Sequence, residues 1–405
     1  MAHERDSLDT HFDLERLIHP VEVKRFINEH WEQKPLYIER QEPAYYADLL
    51  TLDDVDRLLT LSGPSFDTIR VVVDGHETPI SEIAKRGTLG RTNTLEAIYD
   101  HYRQGSTVVL NALDDRWEPL RQLVQVLGAE VSAGFQVNVY LTPAGKAQGF
   151  KPHYDTHDVL IAQVHGSKQW RLYGAPYELP LADRPKFGKK FEGDETPEQQ
   201  LTLRAGDFLY LPRGAVHAAS SNDEASIHLT IGVHQAHWAT VLQNAMVELF
   251  DQDVRFRRAL PAGFARDADL QRTAAETLGG LLAALQEKLS PTQIIDSVVA
   301  QAMSVNAPNL AGHLRDLEDL RDLAPESVLR RRKDVLCHVV RDESTVKVHF
   351  HNKTIELPVQ VAEQVEWLVA EERTSFRPSE IPGRLDLPGR LVLAQTFLRE
   401  GLLTC

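Results

Sequence analysis

The run of short apolar segments between Ala133 and Gln235 constrains the fold more than any other feature of the chain. FQVNVYLTP, DVLIAQVHG, KQWRLYG, QQLTLRAG, DFLYLPRG, AVHAASS and SIHLTIGVH follow one another with Gly, Pro, Asn and Asp between them. Several strands at such close spacing, bounded by turn residues, predict a β-sandwich or small barrel.

The flanking regions read differently. Residues 12 to 61 are expected to be largely helical, because FDLERLI, PVEVKRFINEHW and LTLDDVDRLLTL repeat apolar residues at helical spacing. Between about Asp67 and Trp117, TIRVVV and STVVLNAL read as strands around a helical TLEAIYDHYRQ. After His237, HWATVLQNAMVELFDQ and LQRTAAETLGGLLAALQEKL are amphipathic helices, and TQIIDSVVAQAMS follows. Such a helical layer packs within the chain or against a second copy. From about Leu323, two strands (TVKVHFH and KTIELP) precede helices at AEQVEWLVAEE and GRLVLAQTFLREG, which predicts a winged-helix-like unit. The expected domains are 1–236, a mainly β core with a helical N-terminal segment; 237–320, helical; and 321–405, winged-helix-like.

A chain of 405 residues has room for two or three domains. Its composition, 42% hydrophobic and 25% charged, is that of a globular protein. No apolar run is long enough to span a membrane, and MAHERDSLDTHFDLERLIHP lacks the apolar core of a secretory signal. The two cysteines, Cys337 and Cys405, exclude a disulfide framework and suit a reducing cytoplasm. A net charge of −15 disfavours direct nucleic-acid binding and favours a basic partner. Arg330-Arg331-Arg332-Lys333, the one basic run, reads as a solvated helix face.

The chemistry concentrates at KPHYDTHDVLIAQVHGSKQWRLY (151–173), where histidines, aspartates and lysines interrupt a predicted hairpin. His-x-Asp is weak evidence alone: with 17 histidines, about one match arises by chance. The chain has two. In His11-Phe12-Asp13 the aspartate reads as a helix-start residue. In His153-Tyr154-Asp155, just before a strand, residues i and i+2 point to one side and can aim an imidazole and a carboxylate into one barrel mouth. His217, 62 residues after Asp155 and following a strand and a Pro-Arg-Gly turn, is the candidate third ligand. Two histidines and a carboxylate form the facial triad of non-haem Fe(II) oxygenases. His217 also reads as a core histidine, and His157 and His165 compete as ligands.

An oxygen-activating iron needs a reductant, and 2-oxoglutarate is a common one. Its far carboxylate would need a cation or hydroxyl deep in the barrel, where an unpaired ammonium is costly. Lys168 opens the strand KQWRLY and fits that role, or it is an exposed lysine at a hairpin turn. Arg213, Tyr154 and Gln163 are candidates for gripping a target.

These blocks carry a resemblance. NVYLTPAGKAQGFKPHYDTHDVLIAQVHGSKQWRLY, LYLPRGAVHAA and HLTIGVH, with FINEHWEQKPLYIER upstream, closely resemble the JmjC-type ribosomal oxygenases, also called cupin-4 proteins. Four blocks in order make the likeness specific over most of Phe26 to His234. It implies a double-stranded β-helix catalytic core with Fe(II) at His153, Asp155 and His217, and 2-oxoglutarate and O2 as cosubstrates. It places Lys168 on the cosubstrate, with Asn138, Tyr140 and Thr230 facing the same pocket. AGKAQGFKPH is one residue longer than the usual spacing, which bears on Asn138. Some bacterial arginine-hydroxylating members carry Arg where this chain has Lys168, so the same arginine target does not follow.

The resemblance further implies dimerisation through the helical region, hence a homodimer, and a C-terminal winged helix whose acidic AEQVEWLVAEE helix argues against DNA. The implied function is a 2-oxoglutarate-dependent dioxygenase hydroxylating a side chain of a protein substrate, a basic ribosomal protein first, in the cytoplasm. The alternatives are another peptide hydroxylase, an N-methyl-lysine demethylase and a cupin-like binding or regulatory protein.

Overall fold

The computed structural model describes residues 12–61, 68–73, 76–79, 90–145, 150–182, 196–303, 310–332, 335–350, 353–370, 373 and 375–405. His11, the stretch before it, Lys333 and residues 146–149 of the AGKAQGFKPH loop lie outside these. The chain divides into two compact units, Met1–His234 and Gln235–Cys405. Among the described residues no helix is long and apolar enough to cross a membrane.

The first unit opens with three helices, α1 (Leu14–Ile18), α2 (Val23–Glu29) and α3 (Leu52–Leu61), and a short strand β1 (Leu36–Ile38). The Asp13 carboxylate accepts the backbone N–H of Arg16 at 2.7 Å, so the first His-x-Asp supplies a helix cap, as its position predicts. Strands β2 (Ile69–Val73) and β3 (His76–Pro79), helix α4 (Gly90–Arg103), strand β4 (Thr107–Leu110) and helix α5 (Glu118–Val131) follow. The expected strand series is then present as β5 (Gly134–Thr142), β6 (Asp158–His165), β7 (Ser167–Leu172), β8 (Gln199–Arg204), β9 (Phe208–Leu211), β10 (His217–Ser221) and β11 (Ser226–His234).

These strands form two sheets. The larger has the order β1-β9-β6-β11-β5-β4-β2-β3 and the smaller β10-β7-β8, with every pairing antiparallel. Successive side chains on a strand point to opposite faces. Val137 and Val139 of β5, and Leu229, Ile231 and Val233 of β11, share one buried cluster with Phe26 of α2 and Leu120, Leu123 and Leu127 of α5. Val159 and Ile161 of β6, from the opposite face, join Trp170 and Leu172 of β7 and Leu201 and Leu203 of β8. Helices thus cover one face of the large sheet and the small sheet covers part of the other. This explains why β6 is buried at every position but His165: it is covered on both sides, like a strand of a parallel sheet. Each fully buried aliphatic side chain contributes about 1.5–3 kcal/mol. Gly166 makes the β6–β7 turn with φ +60°, and a Cβ there would sit 1.8 Å from the Ala225 carbonyl oxygen, so only glycine fits.

The second unit contains α6 (Trp238–Gln252), α7 (Ala268–Lys288), α8 (Pro291–Ala302) and α9 (His313–Asp319). Strands β12 (Arg330–Arg331), β13 (Cys337–Arg341), β14 (Thr345–Phe350) and β15 (Lys353–Pro358) precede α10 (Ala362–Val369), α11 (Leu387–Arg399) and β16 (Leu403–Thr404). Val346, Val348 and Phe350 pack on Val365, Leu368, Phe397 and Leu398 in one core. The β13-β14-β15 ribbon has three strands where the sequence predicted two; CHVVR mixes polar and apolar residues and carries no clean alternation.

One expectation is overturned here. Arg330-Arg331-Arg332 is not a solvated helix face: β12 pairs with β16, Arg331 is buried and donates to the Val335 carbonyl at 2.9 Å, and Arg332 pairs with Asp316. Arg332 ties the C-terminal strand to the unit through Asp316, which also accepts the Thr404 hydroxyl and the Cys405 N–H.

Candidate metal centre

His153 and His217 face each other through an isolated antiparallel bridge. The His153 N–H donates to the His217 carbonyl at 3.1 Å, and the His217 N–H to the His153 carbonyl at 2.8 Å. The imidazole centroids are 4.5 Å apart. Asp155 lies in irregular backbone; its carbonyl accepts the Gly214 N–H at 2.9 Å, from the turn that leads into His217. The convergence therefore comes from one backbone bridge plus one turn contact, and not from i, i+2 parity on a strand.

One ligand atom from each of His153, Asp155 and His217 can be chosen so that all lie within 4.8 Å of one another. The Asp155 Oδ2 is 3.7 Å from His217 Nε2, longer than a hydrogen bond. Each histidine sets its Nδ1 against a carbonyl that can only accept, Lys151 O at 2.8 Å and Ala215 O at 3.0 Å. Nδ1 must then carry the proton, which leaves the Nε2 lone pairs for a cation. Burial, with His153 adjacent, pushes the His217 imidazole down to about 4, so it is neutral at physiological pH, as a metal ligand must be.

A cavity of about 670 Å³ extends from this cluster between the sheets. Lys168 of β7 is buried in its lining, and its Nζ donates to the Thr142 hydroxyl at 2.9 Å. Thr142 in turn lies 3.1 Å from the Thr107 hydroxyl. Burial alone pushes the ammonium down to about 7, and among the described residues no carboxylate is paired with it. The exposed-lysine reading of Lys168 is therefore overturned: it alternates inward with Trp170. Asn138, Tyr140 and Thr230 line the same cavity, because β5 and β11 pair with Asn138 opposite Thr230 and Tyr140 opposite His228. The Asn138 Oδ1 accepts the Ala112 N–H at 3.0 Å, so half of its amide is already engaged.

Of the rival histidines, His165 is exposed at the end of β6. His157 lines the cavity but stacks on His234 at 5.2 Å and stands outside the three-residue cluster. The three residues taken as target grips do other work. Tyr154 is fully buried beside Tyr177, the Gln163 amide donates to Ser226 and the His165 carbonyl, and Arg213 pairs with Glu32 at 2.7 Å. None of the three lines the cavity.

Sequence reasoning missed His228, Trp170, Thr142 and Thr107. His228 is buried, stacks on Tyr140 at 4.8 Å and meets the edge of Trp170 at 5.6 Å. Burial and then Lys168 hold it well below the usual histidine range, and its Nδ1 finds no partner among the described residues. Parity was the available signal: His228 is two residues from Thr230, Thr142 two from Tyr140, and Trp170 two from Lys168.

Comparison with known proteins finds similar chains. A JmjC domain family model matches residues 112–241. Ribosomal oxygenase 1 of Danio rerio is 34% identical over 276 residues, 64% of this chain and 48% of that protein. The bifunctional lysine-specific demethylase and histidyl-hydroxylase NO66 of Drosophila mojavensis is 26% identical over 409 residues, 96% of this chain and 45% of that protein. The chain thus spans about half the length of these relatives. The structure of the Escherichia coli ribosomal oxygenase YcfD with cobalt and 2-oxoglutarate covers 95% of this chain and 98% of its own, at a TM-score of 0.52 and 15% identity. At that identity the likeness speaks for the fold.

Proposed function

We propose that this chain, which carries a JmjC domain of the ribosomal-oxygenase type, works as an Fe(II)- and 2-oxoglutarate-dependent dioxygenase that hydroxylates a side chain of a protein. The observation that carries the reading is the pairing of two features in one cavity: the His153, Asp155 and His217 cluster and the buried Lys168 ammonium, which has no carboxylate partner among the described residues. The donor set suits Fe(II), with two neutral imidazole nitrogens and a carboxylate that leave coordination positions open. Lys168, near a His228 Nδ1 that has no partner among the described residues, suits the far carboxylate of a dicarboxylate; a buried cation otherwise pays an uncompensated desolvation cost.

When bound, Fe(II) with 2-oxoglutarate and O2 supplies the hydroxylating chemistry, the oxoacid leaving as succinate and CO2. The protein supplies position. Lys151 O and Ala215 O fix the tautomers of His153 and His217. Lys168 and Thr142 orient the cosubstrate from the cavity wall, with Tyr140 and Thr230 beside them and Asn138 bracing the Ala112 turn. Trp170 and the apolar layer behind it keep that end dry.

The substrate we propose is a basic ribosomal protein, supported by the names of the relatives and by the net charge of −15. The Drosophila relative is named for both lysine demethylation and histidyl hydroxylation, which supports demethylation as a second reading of the same site. We further propose that residues 237–320 mediate homodimerisation, since Trp238, Leu242, Leu278, Leu282 and Ile295 are exposed, while 321–405 forms a winged-helix-like protein-binding unit. A cytoplasmic location and no direct nucleic-acid binding complete the proposal. The test incubates the protein with Fe(II), 2-oxoglutarate, O2 and a ribosomal protein fraction, then reads intact masses. One added oxygen on one protein, absent with His153→Ala, supports hydroxylation. Loss of a methylene-equivalent mass from a methylated lysine would favour demethylation. Neither change would refute both.

A further inference from the structure

We infer that Glu32, Arg213, Asp158 and Tyr210 form a closed positioning circuit that holds the backbone carrying Asp155 and His217, making the N-terminal helical segment a working part of the metal centre. The inference rests on the proposed metal-dependent reading.

The circuit closes on itself in four contacts. The Arg213 Nη2 donates to Glu32 Oε1 at 2.7 Å. The Arg213 backbone N–H donates to Asp158 Oδ1 at 2.9 Å. The other Asp158 oxygen accepts the Tyr210 hydroxyl at 2.6 Å. That hydroxyl accepts the Glu32 backbone N–H at 2.8 Å. Three chain segments meet here. Asp158 stands three residues after Asp155, Arg213 stands four before His217, and Glu32 comes from the segment after α2.

The next residue along transmits the constraint. Gly214 donates its N–H to the Asp155 carbonyl at 2.9 Å with φ +87°, and a Cβ there would lie 2.0 Å from the Tyr177 carbonyl oxygen. Arg213 therefore grips the start of β6 through Asp158, while its neighbour grips Asp155 directly. Two features mark the circuit as more than packing. Glu32 holds φ +54°, a left-handed conformation that costs a non-glycine residue of order 1 kcal/mol, and there its N–H reaches Tyr210 while its carboxylate reaches Arg213. The Arg213 side chain is 6% exposed, and its Nε and Nη1 have no partner among the described residues. Glu32 is then the carboxylate that pairs directly with a buried cation, with the Asp158 charge as a more distant partner, and removing it strips that cation of its ion pair. Phe26 and Trp31 pack on the Tyr210 ring at 5.0 and 6.0 Å, fixing the hydroxyl from the same segment.

These are positioning residues: none touches the cavity. The test titrates the full-length protein with Co(II), reading affinity and the visible absorption of the bound ion. Glu32→Gln and Tyr210→Phe are compared with wild type, with the double variant and with Trp117→Phe, which loses a part-buried hydrogen bond to Leu49 that is no member of the circuit. The expected result is about tenfold weaker Co(II) binding and an altered spectrum in each circuit variant, the scale of losing an outer partner of a metal site. The double variant falls no further than either single one, because one circuit is broken once. Trp117→Phe lowers thermal stability and leaves Co(II) binding unchanged. Wild-type affinity and spectrum in both circuit variants would overturn the inference and leave the metal reading standing. Equal losses in Trp117→Phe would overturn it too, by reducing the effect to general stability. Failure of wild type to bind Co(II), or binding kept by His153→Ala, would bring down the metal reading and this inference with it.

Discussion

The two faces of the large sheet are built from alternate residues of the same strands and do opposite work. On β11, Leu229, Ile231 and Val233 point into an apolar cluster capped by helices, while His228 and Thr230 line a cavity with Lys168. On β5, Val137 and Val139 contribute to the first face, Asn138 and Tyr140 to the second. One face can be read as hydrophobic burial alone. The other holds a buried ammonium whose one hydrogen bond goes to a neutral hydroxyl, and a buried neutral histidine whose Nδ1 has no partner among the described residues. Stability and chemistry are thus separated by one residue of register, and a change should disturb one and spare the other.

The largest break in that separation comes from His153→Ala, which abolishes turnover and Co(II) binding while the thermal midpoint stays near wild type; retained turnover would contradict the assignment. Next is Leu229→Ala on the helix face. It costs about 3 kcal/mol in chemical denaturation and leaves the Co(II) affinity of the folded protein unchanged. Lys168→Met weakens 2-oxoglutarate binding about 10- to 100-fold, the size of a charged hydrogen bond in a dry site, without destabilising the protein, because it removes a buried charge. Calorimetry on that variant checks both statements.

The pH dependence sharpens the same point. Lys168 is lowered from 10.5 to about 7 in the folded protein. Between those values the unfolded chain binds more protons, so ligand-free stability rises with pH across that window, by at most about 1.4 kcal/mol per unit. A bound dicarboxylate favours the ammonium, so binding takes up a proton above pH 7 and affinity falls by up to about tenfold per unit. Lys168→Met should flatten both curves. The smallest effect is expected from Thr230→Val, a loss of about 1 kcal/mol in cosubstrate binding with stability unchanged, read as a several-fold rise in apparent KM for 2-oxoglutarate.

The two faces were not equally legible in the sequence. Alternation in NVYLT and SIHLTIGVH shows both faces of β5 and β11 at once. DVLIAQVH hides them, because β6 is buried on both sides and reads as a continuous apolar run. The His153 and Asp155 pair was visible as a motif, but parity was the wrong reason for their convergence. The true reason, a bridge to His217 and a hydrogen bond from Gly214, needs the neighbouring turn and is invisible in local pattern. Helix α5 carries Leu120, Leu123, Val124 and Leu127 at helical spacing and was legible though unread; β1, three residues long, was not. Arg213 looked like a surface grip because its partner Glu32 lies 181 residues away. The basic run at Arg330 was misread for the same reason: Asp316 and the C-terminal strand neutralise and pair it.

The most direct test of the account is intact-mass analysis of a ribosomal protein fraction treated with the purified protein, Fe(II), 2-oxoglutarate and O2, beside the same reaction with His153→Ala. The account predicts one added oxygen atom on a single protein, formed with stoichiometric succinate and absent in the variant. An unchanged mass spectrum with no succinate formed, while Fe(II) and 2-oxoglutarate are shown to be bound in the cavity, would contradict it and leave a binding protein in place of an enzyme.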